Sequence, residues 1–139
     1  QLVVGDLSFI SLTLVLPALV AVADPKADFL LMVKPQFEIG KDRLGSGGVV
    51  RNLDHHRETI AKVIECARNL GLGIAAVEAS PLPGPSGNVE YFVYMRADHP
   101  NALEEDQIPG AIDRAVLEGP AGRTRAANSA RDTQEGSAS

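Results

Sequence analysis

Three charged residues in this chain are of the types that could move a proton together: Asp6, Lys34 and Glu90. Lys34 ends an uninterrupted apolar run, Phe29 to Val33, and Pro35 stops any regular continuation. A run of that kind reads as a strand buried on both faces, which makes a lysine at its end unusual. Asp6 follows a second apolar run, Leu2-Val-Val4 with Gly5, and Glu90 lies at the start of a third, Val89 to Arg96. An amine set between two carboxylates can receive, hold or steer a proton, and sites of that make-up favour acid–base work on a bound substrate.

Strand direction has to bring the three together. Leu2 to Val4 predicts a short buried strand closed by the turn Gly5-Asp6. Ser8 and Ser11 offer caps for a helix over about Leu12 to Ala23. Pro17 either kinks that helix or lies in its first turn. The turn Asp24-Pro25-Lys26 then leads into the strand ending at Lys34, and a strand–helix–strand unit implies parallel strands with a right-handed crossover. Ligands bind at the carboxyl ends of such strands, where Asp6 and Lys34 both fall.

A long glycine-bearing loop is expected from Pro35 to Leu53, with a local excess of basic residues in Lys41, Arg43, Arg51 and the following Arg57. Asp54 is a suitable cap for a helix to about Leu70, and Gly71 suits its end. Leu72 to Ala79 and Val89 to Arg96 read as two more strands. Only the turn-rich stretch Ser80 to Asn88 joins them, so the last strand runs antiparallel and its first residues, Glu90 among them, reach the same sheet edge as Lys34. Pro109 to Glu118 reads as a short helix, and the Ala-, Ser- and Arg-rich stretch after it as disordered.

Each residue has a plainer reading. Asp6 could cap a helix, Lys34 could lead the chain into water, and Glu90 could face solvent on an edge strand. Other candidates carry less. His55 and His56 are adjacent and cannot share one helix face, so they are not read as a metal pair, and no metal is expected. Cys66 reads as a packed helix residue. Gly45-Ser-Gly-Gly48 lacks the lysine that would make it a phosphate-binding loop.

The bulk numbers set the outer bounds. At 139 residues the chain holds at most one domain, and 45% hydrophobic content is ample for its core. A net charge of -5 gives no electrostatic case for nucleic-acid binding across the whole chain. A single Cys forms no internal disulfide and suits a reducing, cytoplasmic setting. The uncharged stretch Ile10 to Ala23 is about 14 residues with Pro17 inside it, short of the ~18 that a membrane span requires, and no positive residues precede it as they would in a signal peptide.

Four ordered motifs, Gly5-Asp-Leu-Ser-Phe-Ile-Ser11, Val33-Lys-Pro-Gln-Phe-Glu38, Gly47-Gly-Val-Val-Arg51 and Ser80-Pro-Leu-Pro-Gly-Pro-Ser-Gly-Asn-Val-Glu-Tyr91, together resemble the TlyA family. These are ribosomal RNA 2′-O-methyltransferases, also described as haemolysins, with a catalytic domain like that of the FtsJ methyltransferases. The resemblance covers roughly residues 1 to 118. It implies an α/β fold, the C-terminal part of a Rossmann-like methyltransferase sheet with parallel strands and a final antiparallel hairpin strand. The implied organisation is the methyltransferase half-domain over 1–97, a helical extension over 98–118 and a disordered tail over 119–139.

The family uses a Lys–Asp–Lys–Glu tetrad, and the matching positions are Asp6, Lys34 and Glu90, with Asp6 also reaching the cofactor, S-adenosylmethionine. Lys41, Arg43 and Arg51 are the implied contacts to ribosomal RNA, the expected partner. The tetrad's first lysine, the glycine-rich cofactor turn and an S4-like RNA-binding domain lie upstream in the family. The chain is therefore expected to be the carboxyl-terminal half of such an enzyme, inactive by itself. Two other readings are a membrane-active protein, as the haemolysin name implies, and a non-catalytic remnant.

Overall fold

The computed structural model describes residues 1–5, 11–38, 49–50, 52–82 and 87–122. Strand β1 (Leu2–Gly5) pairs in parallel with β2 (Asp28–Val33), from Leu2 opposite Asp28 to Gly5 opposite Leu31. After β3 (Leu72–Ala79), strand β4 (Tyr91–Ala97) returns antiparallel to it. β4 is inserted between β2 and β3, giving the order β1-β2-β4-β3. Its pairing with β2 runs from Asp28 opposite Arg96 to Val33 opposite Tyr91. The parallel pair and the antiparallel return match the sequence reading; the insertion beside β2 was not visible there.

Helix α1 (Leu12–Val22) is capped by Ser11, whose hydroxyl oxygen accepts from the Thr13 N–H at 3.2 Å. The helix begins upstream of Pro17 and runs through it, so Pro17 does not open it. Proline has no N–H to give the Thr13 carbonyl four residues back. The Cys66 thiol approaches that carbonyl instead, at 3.9 Å. A single turn, α2 (Pro35–Glu38), occupies the start of what the sequence suggested was loop. Proline suits a first helical position because its fixed φ is already helical and its missing N–H is not required there.

Helix α3 (Leu53–Asn69) is capped by Asn52 rather than Asp54: Asn52 Oδ1 accepts from the Asp54 N–H at 2.9 Å. Asp54 sits in the first turn instead, where a negative charge meets the positive end of the helix dipole. Gly71 follows the helix at φ +87°, the left-handed conformation that glycine adopts without penalty. A 3-10 turn (Glu105–Gln107) leads into α4 (Ile108–Glu118), which packs on α3 and β3. Ala121 packs partly against the core, and the remainder of the tail, from residue 123, lies outside the described residues.

The core forms where the inward rows of the strands meet the helices. Phe29, Leu31 and Val33 of β2 join Tyr91, Val93 and Met95 of β4, with Leu12 and Leu16 of α1 and Ile60, Val63 and Ile64 of α3. The expectation that β2 is buried on both faces is corrected. Its burial alternates, with Leu30 and Met32 only half-buried. Among the described residues the helices supply core residues only to the Phe29–Leu31–Val33 side, so the apolar run has a second face that no described helix covers.

Candidate active site

Lys34 is the residue immediately after β2, and Glu90 the residue immediately before β4. They flank the same cross-strand pair, Val33 opposite Tyr91, so the antiparallel insertion of β4 beside β2 sets them at one sheet edge. Both are buried, Lys34 to 8% exposure and Glu90 to 6%. Neither therefore follows the plainer reading of a side chain standing in solvent. Glu90 Oε1 has no hydrogen-bond partner among the described residues. A buried carboxylate oxygen without a donor is costly, which sets Glu90 apart from an ordinary strand residue. Gly5, the last residue of parallel β1, reaches the same edge. A side chain there would clash, since a Cβ would lie 2.7 Å from Leu31 Cδ2. Asp6, the next residue, lies outside the described residues, as do Lys41, Arg43, Arg51 and Gly45 to Gly48.

Behind this edge runs a buried polar chain. His56 is 1% exposed on the core side of α3, not at its surface. Its Nε2 lies 2.8 Å from the Val50 carbonyl oxygen, and its Nδ1 lies 2.6 Å from the Tyr91 hydroxyl. A carbonyl only accepts, so Nε2 carries the proton and Nδ1 accepts from the Tyr91 O–H. Burial lowers the pKa of His56 below its ordinary value, outweighing the hydrogen bond to the Val50 carbonyl, which acts to raise it, while the charges of His55 and Arg57 lower it further. Burial likewise pushes the Tyr91 phenol well above its usual range, which keeps it a neutral donor. The two rings meet edge to face, 5.6 Å between centroids. The Val50 N–H is also taken, donating to Asn88 Oδ1 at 2.9 Å.

A second polar contact ties the far side of the edge. Glu38, closing the α2 turn that begins one residue after Lys34, accepts from the Leu12 N–H at 2.7 Å and from the Ser11 hydroxyl at 2.5 Å. Sequence reasoning missed both this cap and His56. For His56 a signal existed: Leu53, His56, Ile60, Val63 and Ala67 recur at helical spacing on the buried stripe of α3. Nothing in the local sequence points to Glu38 or Asn88, whose partners lie 26 and 38 residues away. Among the described residues no group of three His, Cys, Asp or Glu side chains could hold a metal ion.

Parallel strands with a crossover helix, an antiparallel strand inserted beside the last of them, and buried charges at their carboxyl edge define a Rossmann-like α/β domain of the methyltransferase type. Residues 1–97 match the model of the FtsJ-like methyltransferases, and the chain belongs to that family. It is 50% identical over 120 residues to the 16S/23S rRNA (cytidine-2′-O)-methyltransferase TlyA of Mycobacterium tuberculosis, a match covering 86% of this chain and 45% of that protein. It is 32% identical over 100 residues to Hemolysin A of Brachyspira hyodysenteriae, covering 68% of this chain and 40% of the relative. Among solved structures, a putative hemolysin from Lactococcus lactis superposes with a TM-score of 0.71 at 32% identity, over 81% of this chain and 54% of that one. The chain thus spans less than half the length of the two sequence relatives.

Proposed function

We propose that this chain supplies the Lys34 and Glu90 portion of an S-adenosylmethionine-dependent ribosomal RNA ribose 2′-O-methyltransferase acting in the cytoplasm. One observation carries the reading: in an FtsJ-like chain, a buried lysine and a buried carboxylate, one oxygen of which has no partner among the described residues, flank one residue pair at the carboxyl edge of the parallel strands. That edge fits the reacting end of the cofactor, because Glu90 Oε1 is an acceptor in need of a donor or positive group.

Bound S-adenosylmethionine would supply a methyl group on a positive sulfur for transfer to a ribose 2′-oxygen, with the sulfur leaving as a neutral thioether. Lys34 receives or steers the hydroxyl proton that must leave the oxygen. Asp6 and Glu90 orient the Lys34 side chain, and Asp6 also meets the cofactor. The protein's larger contribution is positioning, since an in-line displacement depends on alignment of the attacking oxygen. Lys41, Arg43 and Arg51 meet the RNA phosphate backbone, which predicts that binding weakens as salt rises. A cytidine ribose is the expected acceptor, by analogy with the TlyA relative.

The haemolysin names belong to relatives, and no described helix is long and apolar enough to cross a membrane. The deciding experiment is transfer of labelled methyl from S-adenosylmethionine to ribosomal RNA by this chain, by an upstream-extended chain and by the extended chain with Lys34→Ala. The expected result is transfer by the extended wild type alone. A folded extended protein without activity, or undiminished transfer after Lys34→Ala, would overturn the assignment. Liposome leakage unaffected by Lys34→Ala would instead support the membrane reading.

A further inference from the structure

We infer that His56 and Tyr91 are positioning residues of this site, holding Glu90 and Lys34 in place through one buried chain, Asn88–Val50–His56–Tyr91. The inference rests on the methyltransferase reading above and adds residues that act through Glu90 and Lys34. Glu90 is bracketed by this chain. Asn88, two residues before it, grips the Val50 N–H at 2.9 Å. Tyr91, the residue after it, donates to His56, and His56 donates to the Val50 carbonyl at 2.8 Å. Both polar groups of the Val50 main chain are therefore taken, and both tie back to the segment that carries Glu90.

Tyr91 also stands opposite Val33 in the sheet, so the same hydroxyl that fixes it to α3 fixes the pair from which Lys34 extends. His56 is fixed in turn at its own backbone, where its carbonyl accepts from the Thr59 hydroxyl at 2.9 Å. All of Asn88, Val50, His56 and Tyr91 are buried, at 4%, 4%, 1% and 0% exposure. The arrangement has the form of an outer shell that orients reactive groups: each member is hydrogen-bonded, while the carboxylate it brackets keeps an oxygen without a partner among the described residues. Ring packing alone would have served stability. A hydroxyl aimed at a ring nitrogen of fixed tautomer adds direction.

The test uses the upstream-extended protein with Tyr91→Phe, which deletes one oxygen and keeps the ring, and with Asn88→Ala, which releases the other side of the bracket. Steady-state methyl transfer to ribosomal RNA is measured beside NMR of labelled Lys34 and of the His56 ring nitrogens. Tyr91→Phe should lower kcat about 10- to 100-fold, the scale of a small misplacement, with KM for RNA within about twofold. The Lys34 side-chain signal should shift in both variants, and His56 should show a protonated Nε2 in the wild type. Wild-type kcat in Tyr91→Phe, or a loss that only follows a smaller folded fraction, would overturn the inference. So would an unmoved Lys34 signal, a result that stands whether or not Lys34→Ala affects transfer. Failure of the methyltransferase reading is separate, since it appears as inactive wild-type protein.

Discussion

Glu38 caps helix α1 from across the fold: one carboxylate oxygen accepts the Leu12 N–H at 2.7 Å and the other accepts the Ser11 hydroxyl at 2.5 Å. The first N–H groups of a helix lack partners within it, and a carboxylate there also meets the favourable end of the helix dipole. The contact joins the start of α1 to the turn that leaves Lys34, so it couples both segments that lead into the candidate site. Glu38→Ala should destabilise the protein by about 1–2 kcal/mol, the usual range for a lost charged cap. Glu38→Gln, which keeps one acceptor, should lose less. Urea unfolding of the three proteins checks the order, and equal midpoints for Glu38→Ala and wild type would show the contact to be energetically idle.

His56 gives the fold a defined acid sensitivity. Burial holds it neutral in the native state, with its pKa below the ordinary value near ~6.5 that it regains on unfolding. Below that value the unfolded chain binds a proton that the folded chain refuses. The contribution is thus complete above about pH 6.5 and lost as pH falls toward the folded pKa, at a rate of up to about 1.4 kcal/mol per pH unit. His56→Gln removes the titrating ring. Unfolding free energies measured from pH 7.5 down to 5.5 should fall more steeply in the wild type than in His56→Gln. Parallel slopes would mean that other groups set the acid response.

Much of this fold could be read from local pattern. The apolar runs at Leu2, Phe29, Leu72 and Val89 became strands, and β3 has the limits expected, Leu72–Ala79. The turn-rich connector before β4 carried the antiparallel direction, and with it the meeting of Lys34 and Glu90 at one edge. What pattern could not carry was any relation between distant segments. The insertion of β4 between β2 and β3 depends on which strand edges are open, a property of the assembled sheet. Asn52 displaced Asp54 as the cap of α3 because either residue suits the position, and a shift of two residues is within the freedom of a helix start. The expectation of two buried faces for β2 failed for a related reason. Composition states that both faces are apolar, but not whether a helix is present to cover each.

That uncovered face leads to a prediction about association. Leu2 and Val4 are 63% and 65% exposed on β1, one of the two edge strands of the described sheet. Leu30 and Met32 of β2 and Phe92 of β4 are half-buried on rows that the helix-packed core does not include. An edge strand with apolar side chains and unpaired main-chain groups is a template for further pairing. The 139-residue chain, expressed by itself, should self-associate with rising concentration, and Val4→Lys should shift it toward monomer. Sedimentation velocity over a concentration series measures this. A monomer that melts cooperatively at every concentration would contradict the prediction.

Glu90 separates function from stability most directly. It is buried to 6% exposure, and one of its carboxylate oxygens lacks a hydrogen-bond partner among the described residues. A buried charge left partly unsatisfied is unfavourable in the resting fold, and sites of this kind are retained for what they do when occupied. Glu90→Gln preserves shape and removes the charge. If Glu90 orients Lys34 for methyl transfer, the variant in the extended protein should lose activity by roughly 10- to 1,000-fold, within the range that acid–base and electrostatic groups supply. Its melting temperature should stay close to that of the wild type, because Gln keeps the size and shape of the side chain. Lys34→Ala, by contrast, should lose activity and also leave a gap where a buried side chain stood, lowering the melting temperature. The two measurements together discriminate: a Glu90→Gln protein that melts earlier while keeping full methyl transfer would make Glu90 a structural acid, and the polar chain behind it a brace for the sheet edge alone.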